Sequence, residues 1–405
     1  MDPYILTFRL PEEIVEEFKK IGVDAGGIEI MRRKGFLRCV KIRRVRNFSA
    51  NILKQEMLSL GGDVALSRGT LTGQVKYTDC LVLGNTSQIL QLTEKLKIQP
   101  FGLAQLGAKI RYSLGNFEKS GIVLDVAGKK IRMGRRTLVM GIINASHDSF
   151  SGDSVIGMGP DEIKALARGM VESGADMLDI GGESTRPGSS KISAKDELRR
   201  VMPVLKLLRK SVRVPLSIDT TKSVVARAAL DLGVNIINDV SAMRFDKKMA
   251  SIVARYKASL VLMHMKGTPA KMQDSPVYDD VVGEVISFLA DAVKRAEDAG
   301  VDADKIIVDP GIGFGKGPGH NLEILGRLSA LKSLGRPIMV GVSRKRFIGR
   351  ILNAEVKERA WGTAAAVCMS IANGAGIVRV HDVNEMAQAA KVADAIVNRG
   401  TAYGR

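Results

Sequence analysis

Hydrophobic positions settle into one rhythm about a third of the way along the chain. From about residue 135 a short apolar run, rich in Val, Ile and Leu, ends in polar residues or glycine, and an amphipathic stretch follows. The runs are TLVMGIIN (137–144), DMLDIGG (176–182), VPLSID (214–219), VNIIND (234–239), ASLVLMH (258–264), KIIVDPG (305–311), PIMVGVS (337–343) and GIVRVH (376–381). Between them lie DEIKALARGMVESG, KDELRRVMPVLKLLRK, KSVVARAALDLG and DVVGEVISFLADAVKRAEDAG, which carry apolar residues at helical spacing. Continuous apolar runs alternating with helices predict a parallel sheet buried on both faces. Eight such units in succession predict a closed (β/α)₈ TIM barrel rather than an open sheet.

The preceding residues follow another pattern. SANILKQEMLSL and NTSQILQLTEKLKIQ predict helices, and GFLRCVKIRRV, DVALSRG and TDCLVLG predict strands. That mixture predicts a small α+β domain. GIVLDVAGKKIRMG (121–134) predicts a hairpin turning at Ala127–Gly128 and leading into the barrel. The expected division is a small basic domain over 1–125 and a barrel over 135–405, joined somewhere between 118 and 135. A chain of 405 residues suits two cores better than one.

Charge narrows the partners. The chain carries a formal net charge of +18, which favours capture of anions. RRKGFLRCVKIRRVR (32–46) contains no acidic residue, yet it alternates with Phe36, Leu37, Val40 and Ile42. A strand with one cationic face fits that alternation better than a nucleic-acid site, and aromatics at 4% supply few stacking platforms. Cys39, Cys80 and Cys368 lie far apart, without the spacing of a disulfide framework or a zinc site. The opening MDPYILTFRLPEEIVEEF lacks the pattern of a signal peptide, and no apolar run is long enough to span a bilayer. The expectation is a cytoplasmic protein with no membrane partner.

Polar residues recur where the predicted strands end: Asn144, Glu183, Asp219, Asn238 with Asp239, His264, Asp309, Ser343 and His381. In a (β/α)₈ barrel those ends meet at one mouth, where active sites lie. The runs MGIINASHDSFSG, DIGGESTRPGS, SIDTTK, IINDVSAM, VDPGIGFGK, GVSRKRFIG and IVRVHDV occur in this order on those ends. Over about residues 137–399 they resemble the strand signatures of the dihydropteroate synthase family. The resemblance implies condensation of 6-hydroxymethyl-7,8-dihydropterin pyrophosphate with p-aminobenzoate, giving 7,8-dihydropteroate and pyrophosphate. It implies a pterin pocket with Asp219, Asn238 and Asp309, Lys345 donating to the pterin, and Met263 and Phe314 flanking the ring. A carboxylate such as Asp309 suits the amino and ring N–H groups of a pterin edge, because it can accept both hydrogen bonds.

By the same resemblance Arg379 and His381 hold the pyrophosphate, Thr185, Arg186 and Ser343 serve the arene and loop side, and Asn144 is a ligand of Mg²⁺. The catalytic set is then Arg186, Lys345, Arg379 and His381, and the family implies a homodimer. Two positions depart from the family pattern: His147 stands where proline is usual, and Arg346 where a small polar residue is usual. They leave open a different aryl amine. A methyl-pterin:corrinoid methyltransferase would share Asp219, Asn238 and Asp309 but would not need the pyrophosphate set. Glu358, Arg359 and Trp361 are expected to serve packing.

Overall fold

The computed structural model describes residues 2–8, 11–119, 121–146, 154–184, 191–268, 272 and 276–398. The chain divides into two compact units, Met1–Lys119 and Ser120–Arg405.

In the first unit, strands β1 (Leu37–Arg46), β2 (Asp63–Ala65) and β3 (Tyr77–Asn85) form an antiparallel sheet in the order β1-β3-β2. Thr78, Cys80, Val82 and Gly84 of β3 are buried, while Tyr77, Asp79 and Leu81 are exposed. This two-residue period marks a sheet packed on one side. Its buried face meets the helices Asn47–Leu58, Thr86–Lys95 and Leu103–Phe117 around Leu53, Met57, Val82, Ile89 and Leu92. Asn85 and Gln88 form a reciprocal cap at the start of the second of these helices.

The basic run forms a strand with Lys41, Arg44 and Arg46 exposed and Val40, Ile42 and Val45 toward the core; Arg38 is the exception. Arg38 alternates with exposed Leu37 and Cys39; its Nε donates to Glu118, 3.1 Å, and its guanidinium lies against the Phe36 and Phe117 rings. A bulge between Ile42 and Val45, with Arg44 at φ 53°, then shifts the alternation and exposes Arg44 and Arg46. The bulge therefore places Arg44 and Arg46 on the exposed face that already carries Lys41, and keeps Val45 on the core side.

The second unit opens with the hairpin β4 (Val123–Val126) and β5 (Lys129–Arg132). Ala127 and Gly128 make its turn with φ of 55° and 76°, the geometry a two-residue hairpin loop needs. Eight parallel strands follow: β6 (Leu138–Asn144), β7 (Met177–Gly181), β8 (Leu216–Asp219), β9 (Ile236–Asp239), β10 (Ser259–Met263), β11 (Ile306–Asp309), β12 (Met339–Val340) and β13 (Ile377–Val380). Their order is β11-β10-β9-β8-β7-β6-β13-β12, and a bridge between Val308 and Ile338 joins the two ends. Each coincides with one of the eight runs in the sequence.

The bottom of the barrel is apolar and covered. Leu124, Val126 and Met133 of the hairpin region pack on Leu138, Met140, Met177, Ile236, Val261, Ile307, Met339 and Ile377, which lie early in their strands. Buried Lys305 pairs with Asp125 at 3.1 Å, and Ser259 Oγ donates to the Asp125 carbonyl, 2.8 Å. Trp361 corrects an expectation: it is 86% exposed, while Thr363, Val367, Ser370 and Ile371 of its helix, Ala360–Ala372, face inward.

Candidate active site

Parallel strands present alternate side chains to the barrel axis, so one residue near the end of each strand can enter a common space. Here that space is a cavity of about 460 Å³. Asn144, Asp219, Asn238, Met263, Asp309, Phe314, Ser343, Lys345, Arg379 and His381 all line it. These are the described members of the set read from the sequence. Thr185, Arg186 and His147 lie outside the described residues. Alternation separates neighbours: Asn238 enters the cavity, whereas Asp239 accepts from Ser241 N, Ser241 Oγ and Met243 N and serves a turn.

One charged network occupies the floor. Arg379 Nε donates to Asp179 Oδ2 at 2.6 Å, and its Nη2 donates to Asp219 Oδ2 at 3.0 Å. Asn238 Nδ2 donates to the same Asp179 oxygen at 2.9 Å, while Asp179 Oδ1 has no hydrogen-bond partner among the described residues. Burial pushes the Asp219 carboxyl up to about 7, against the pull of Arg379. Asp309 accepts from Gly311 N at 2.7 Å. Burial raises its carboxyl to about 6, opposed by Gly311 N–H, Lys345, Lys316 and Arg379. Such groups can accept donors from a heterocycle while remaining close to their own titration.

The walls have another character. Met263, Met265, Met272 and Val240 form an apolar cluster, with Phe314 packed against it. Lys345 Nζ stands 4.4 Å from the centre of the Phe314 ring. Ser343 Oγ shares a 2.9 Å hydrogen bond with His381 Nδ1 and accepts from His381 N, 3.2 Å. A flat aromatic molecule with several N–H donors would find apolar faces and a polar edge here. Asn144 closes β6 with its amide at the cavity, and its carbonyl accepts from Val155 N, 2.9 Å. Exposed Arg346 reaches the rim.

Two buried charged positions at the site escaped the sequence reading. Asp179 sits inside an apolar strand and is wholly buried. A carboxylate there needs a partner, which was the available signal. Lys316 ends the VDPGIGFGK run and is also buried. Glu183 does line the cavity, and Lys222 binds both it and fully buried Glu197.

The chain is similar to known proteins over the barrel. Residues 140–381 match the family described as pterin binding enzyme. A dihydropteroate synthase of Synechocystis sp. is 47% identical over 264 residues, covering 65% of this chain and 91% of that protein. A probable bifunctional folylpolyglutamate synthase/dihydropteroate synthase of Halobacterium salinarum is 40% identical over 380 residues, which is 94% of this chain but 45% of that longer protein. The solved structure of Xanthomonas albilineans dihydropteroate synthase with 4-aminobenzoic acid aligns with a TM-score of 0.62 and 42% identity, over 68% of this chain and 98% of that one. With a matching family model, relatives and barrel, the chain belongs to the dihydropteroate synthases of the pterin binding enzyme family.

Proposed function

We propose that the barrel condenses 6-hydroxymethyl-7,8-dihydropterin pyrophosphate with p-aminobenzoate, releasing pyrophosphate and 7,8-dihydropteroate. The observation that carries this reading is the meeting of Asp219, Asn238, Asp309 and Arg379 in one cavity with an apolar wall. Asp309 accepts the pterin amino and ring N–H groups, and Asp219 and Asn238 complete the polar edge. Met263 and Phe314 flank the ring, and Lys345 donates to it. Asp179 and Asp219 already take two nitrogens of Arg379, leaving Nη1 for an oxygen of the leaving group. Arg379, His381 and Arg186 stabilise the charge that develops as the C–O bond breaks. The resulting methylene cation is conjugated with the pterin, and the arene amine captures it and loses a proton. Placement and leaving-group electrostatics suffice, without a covalent nucleophile. Thr185 and Ser343 serve the arene side.

Mg²⁺ belongs to this proposal. Among the described residues no group of three or more His, Cys, Asp or Glu could hold a metal ion. One amide oxygen from Asn144 fits the needs of Mg²⁺, which takes most of its ligands from water and phosphate. Bound there, the ion would neutralise the pyrophosphate. A homodimer is proposed on the exposed apolar surface of Trp361, Met369, Ile351 and Leu352, spread over the helices Arg346–Leu352 and Ala360–Ala372. Trp361→Lys is expected to shift the purified protein toward monomer in sedimentation experiments. An unchanged dimer would remove this surface from the proposal.

No helix among the described residues is long and apolar enough to cross a membrane, and the three cysteines are free. A cytoplasmic setting is proposed on the free thiols. Arg346 at the rim favours one second reading, transfer to another aryl amine. Full-length protein mixed with the pterin ester and a panel of aryl amines distinguishes the two. Turnover with p-aminobenzoate supports the first; turnover with another amine alone supports the second. Methyl transfer to a corrinoid protein without pyrophosphate release would overturn both.

A further inference from the structure

Resting on that reading of the cavity, we propose that Lys316 is a positioning residue for pterin recognition: its ammonium pins the loop that carries Asp309 and Phe314 against the end of β10. The loop runs unusually close to its neighbour. A Cβ on Gly311, at φ +68°, would lie 1.9 Å from the His264 carbonyl oxygen. One on Gly315, at φ +60°, would lie 2.4 Å from the Lys266 carbonyl oxygen. Glycine permits both the backbone conformation and the approach. Asn321 accepts from Gly313 N at 2.7 Å and the Tyr278 hydroxyl donates to the Gly315 carbonyl at 2.7 Å, and with them Lys316, buried and lining the same cavity, holds the strip.

Lys316 Nζ lies 2.9 Å from the Gly311 carbonyl, 3.0 Å from the Phe314 carbonyl, 2.9 Å from His264 Nδ1 and 3.3 Å from the His264 carbonyl. An ammonium has three donors and no acceptor, so these groups can use all of them. A charged Lys316 requires His264 Nδ1 to accept, with the ring proton on Nε2. Burial, followed by the nearby Lys316 charge, depresses His264 far below its ordinary value, consistent with a neutral ring. Gly311 is fixed from both sides, because its N–H donates to Asp309 and its carbonyl accepts from Lys316. Phe314, the apolar wall beside Lys345, is held through its own carbonyl.

Among the described residues no carboxylate hydrogen-bonds to the Lys316 ammonium; its electrostatic counterpart is Asp309. The charges facing Asp309 are Lys345 beyond β12, Lys316 on its own loop and Arg379 on β13. Lys316 thus fixes the geometry of the pterin-reading carboxylate and helps keep it ionised. An ionised carboxylate can accept two N–H donors at once, which a neutral acid cannot do equally well.

The test uses full-length Lys316→Met and Lys316→Gln, with Lys305→Met as a control for a buried lysine outside the cavity. Folding is followed by thermal unfolding, and KM and kcat are measured for both substrates. The Met variant is expected to fold, to raise KM for the pterin ester by about tenfold, the scale of one hydrogen bond to a charged group, and to leave KM for p-aminobenzoate nearly unchanged. The acid limb of pterin binding should move to higher pH, and Gln, which retains donors, should recover part of the loss. Lys305→Met should lower thermal stability without that split. Unaltered pterin KM in Lys316→Met would overturn the proposal, as would equal losses for both substrates or failure of both Lys316 variants to fold. Absence of turnover in the unmodified chain with any amine would instead contradict the reading of the reaction.

Discussion

The two ends of the barrel are made from the same eight strands and do opposite things. At the bottom, Leu138, Met177, Ile236, Val261 and Ile377 meet the hairpin residues Leu124 and Val126 in a closed apolar layer. At the mouth, Asp179, Asp219, Asn238, Asp309 and Arg379 gather beside the apolar wall of Met263 and Phe314. Each end contains a buried lysine. Lys305 at the bottom has a carboxylate partner in Asp125, whereas Lys316 at the mouth has carbonyls and a histidine. The bottom pairs its buried lysine with a carboxylate, although Asp125 Oδ1 has no hydrogen-bond partner among the described residues. At the mouth Asp179 Oδ1 has no hydrogen-bond partner among the described residues, and two carboxyls are raised by burial. Such groups work against folding, and a ligand that satisfies them recovers that energy in binding.

Substitutions at the two ends should therefore separate binding from stability. The largest expected effect is at Asp309: Asp309→Asn should weaken pterin binding by about 10²–10⁴-fold, since two hydrogen bonds to a charged acceptor are impaired. Calorimetry with a dihydropterin measures it, and near-native affinity would break the comparison. Next, Arg379→Ala should lower kcat by about 100-fold, the scale of one lost donor to a developing oxyanion. Steady-state kinetics would refute this if only KM rose. At the other end, Leu124→Ala should cost about 2–5 kcal/mol of stability by leaving a cavity, with KM for both substrates unchanged in the folded protein. Urea unfolding and kinetics on one preparation test both halves.

The smallest effect is a pH dependence. Burial raises the Asp309 carboxyl to about 6 from an ordinary 3.8, so the folded chain holds that proton more tightly than the unfolded chain. The stability tied to it is present below about pH 4 and is lost as pH rises through 6. Asp309→Asn should consequently gain in unfolding midpoint over the unmodified chain as pH goes from 4 to 6. Buried Lys316, lowered to about 7 from 10.5, contributes in the opposite sense, but only above about pH 7. Parallel melting curves for the two proteins across that range would show whether the advantage grows with pH.

Much of this contrast was legible in the chain, because parallel barrel strands write themselves as apolar runs with polar ends. The eight runs gave eight strands, and the Ala127–Gly128 hairpin turned where its glycine required. What stayed hidden depends on partners distant in sequence. Asp179 looks like one polar residue in an apolar run until Arg379, 200 residues away, is beside it. Lys316 looks like an ordinary loop cation until the glycines bring its loop against His264. Trp361 misled for the converse reason: an alanine-rich helix says that one face packs closely, not which face holds the tryptophan. In the first unit the bulge at Arg44 breaks a two-residue alternation that the letters alone continue.

The central claim is that the mouth of this barrel expels pyrophosphate from a dihydropterin ester and joins the pterin to an arene amine. Its most direct test is to mix the purified full-length chain with 6-hydroxymethyl-7,8-dihydropterin pyrophosphate, p-aminobenzoate and Mg²⁺, and to follow pyrophosphate and 7,8-dihydropteroate together. The account predicts that both appear in equal amounts and that both cease in Asp309→Asn. Pterin binding without release of pyrophosphate, with p-aminobenzoate or any other aryl amine, would contradict it.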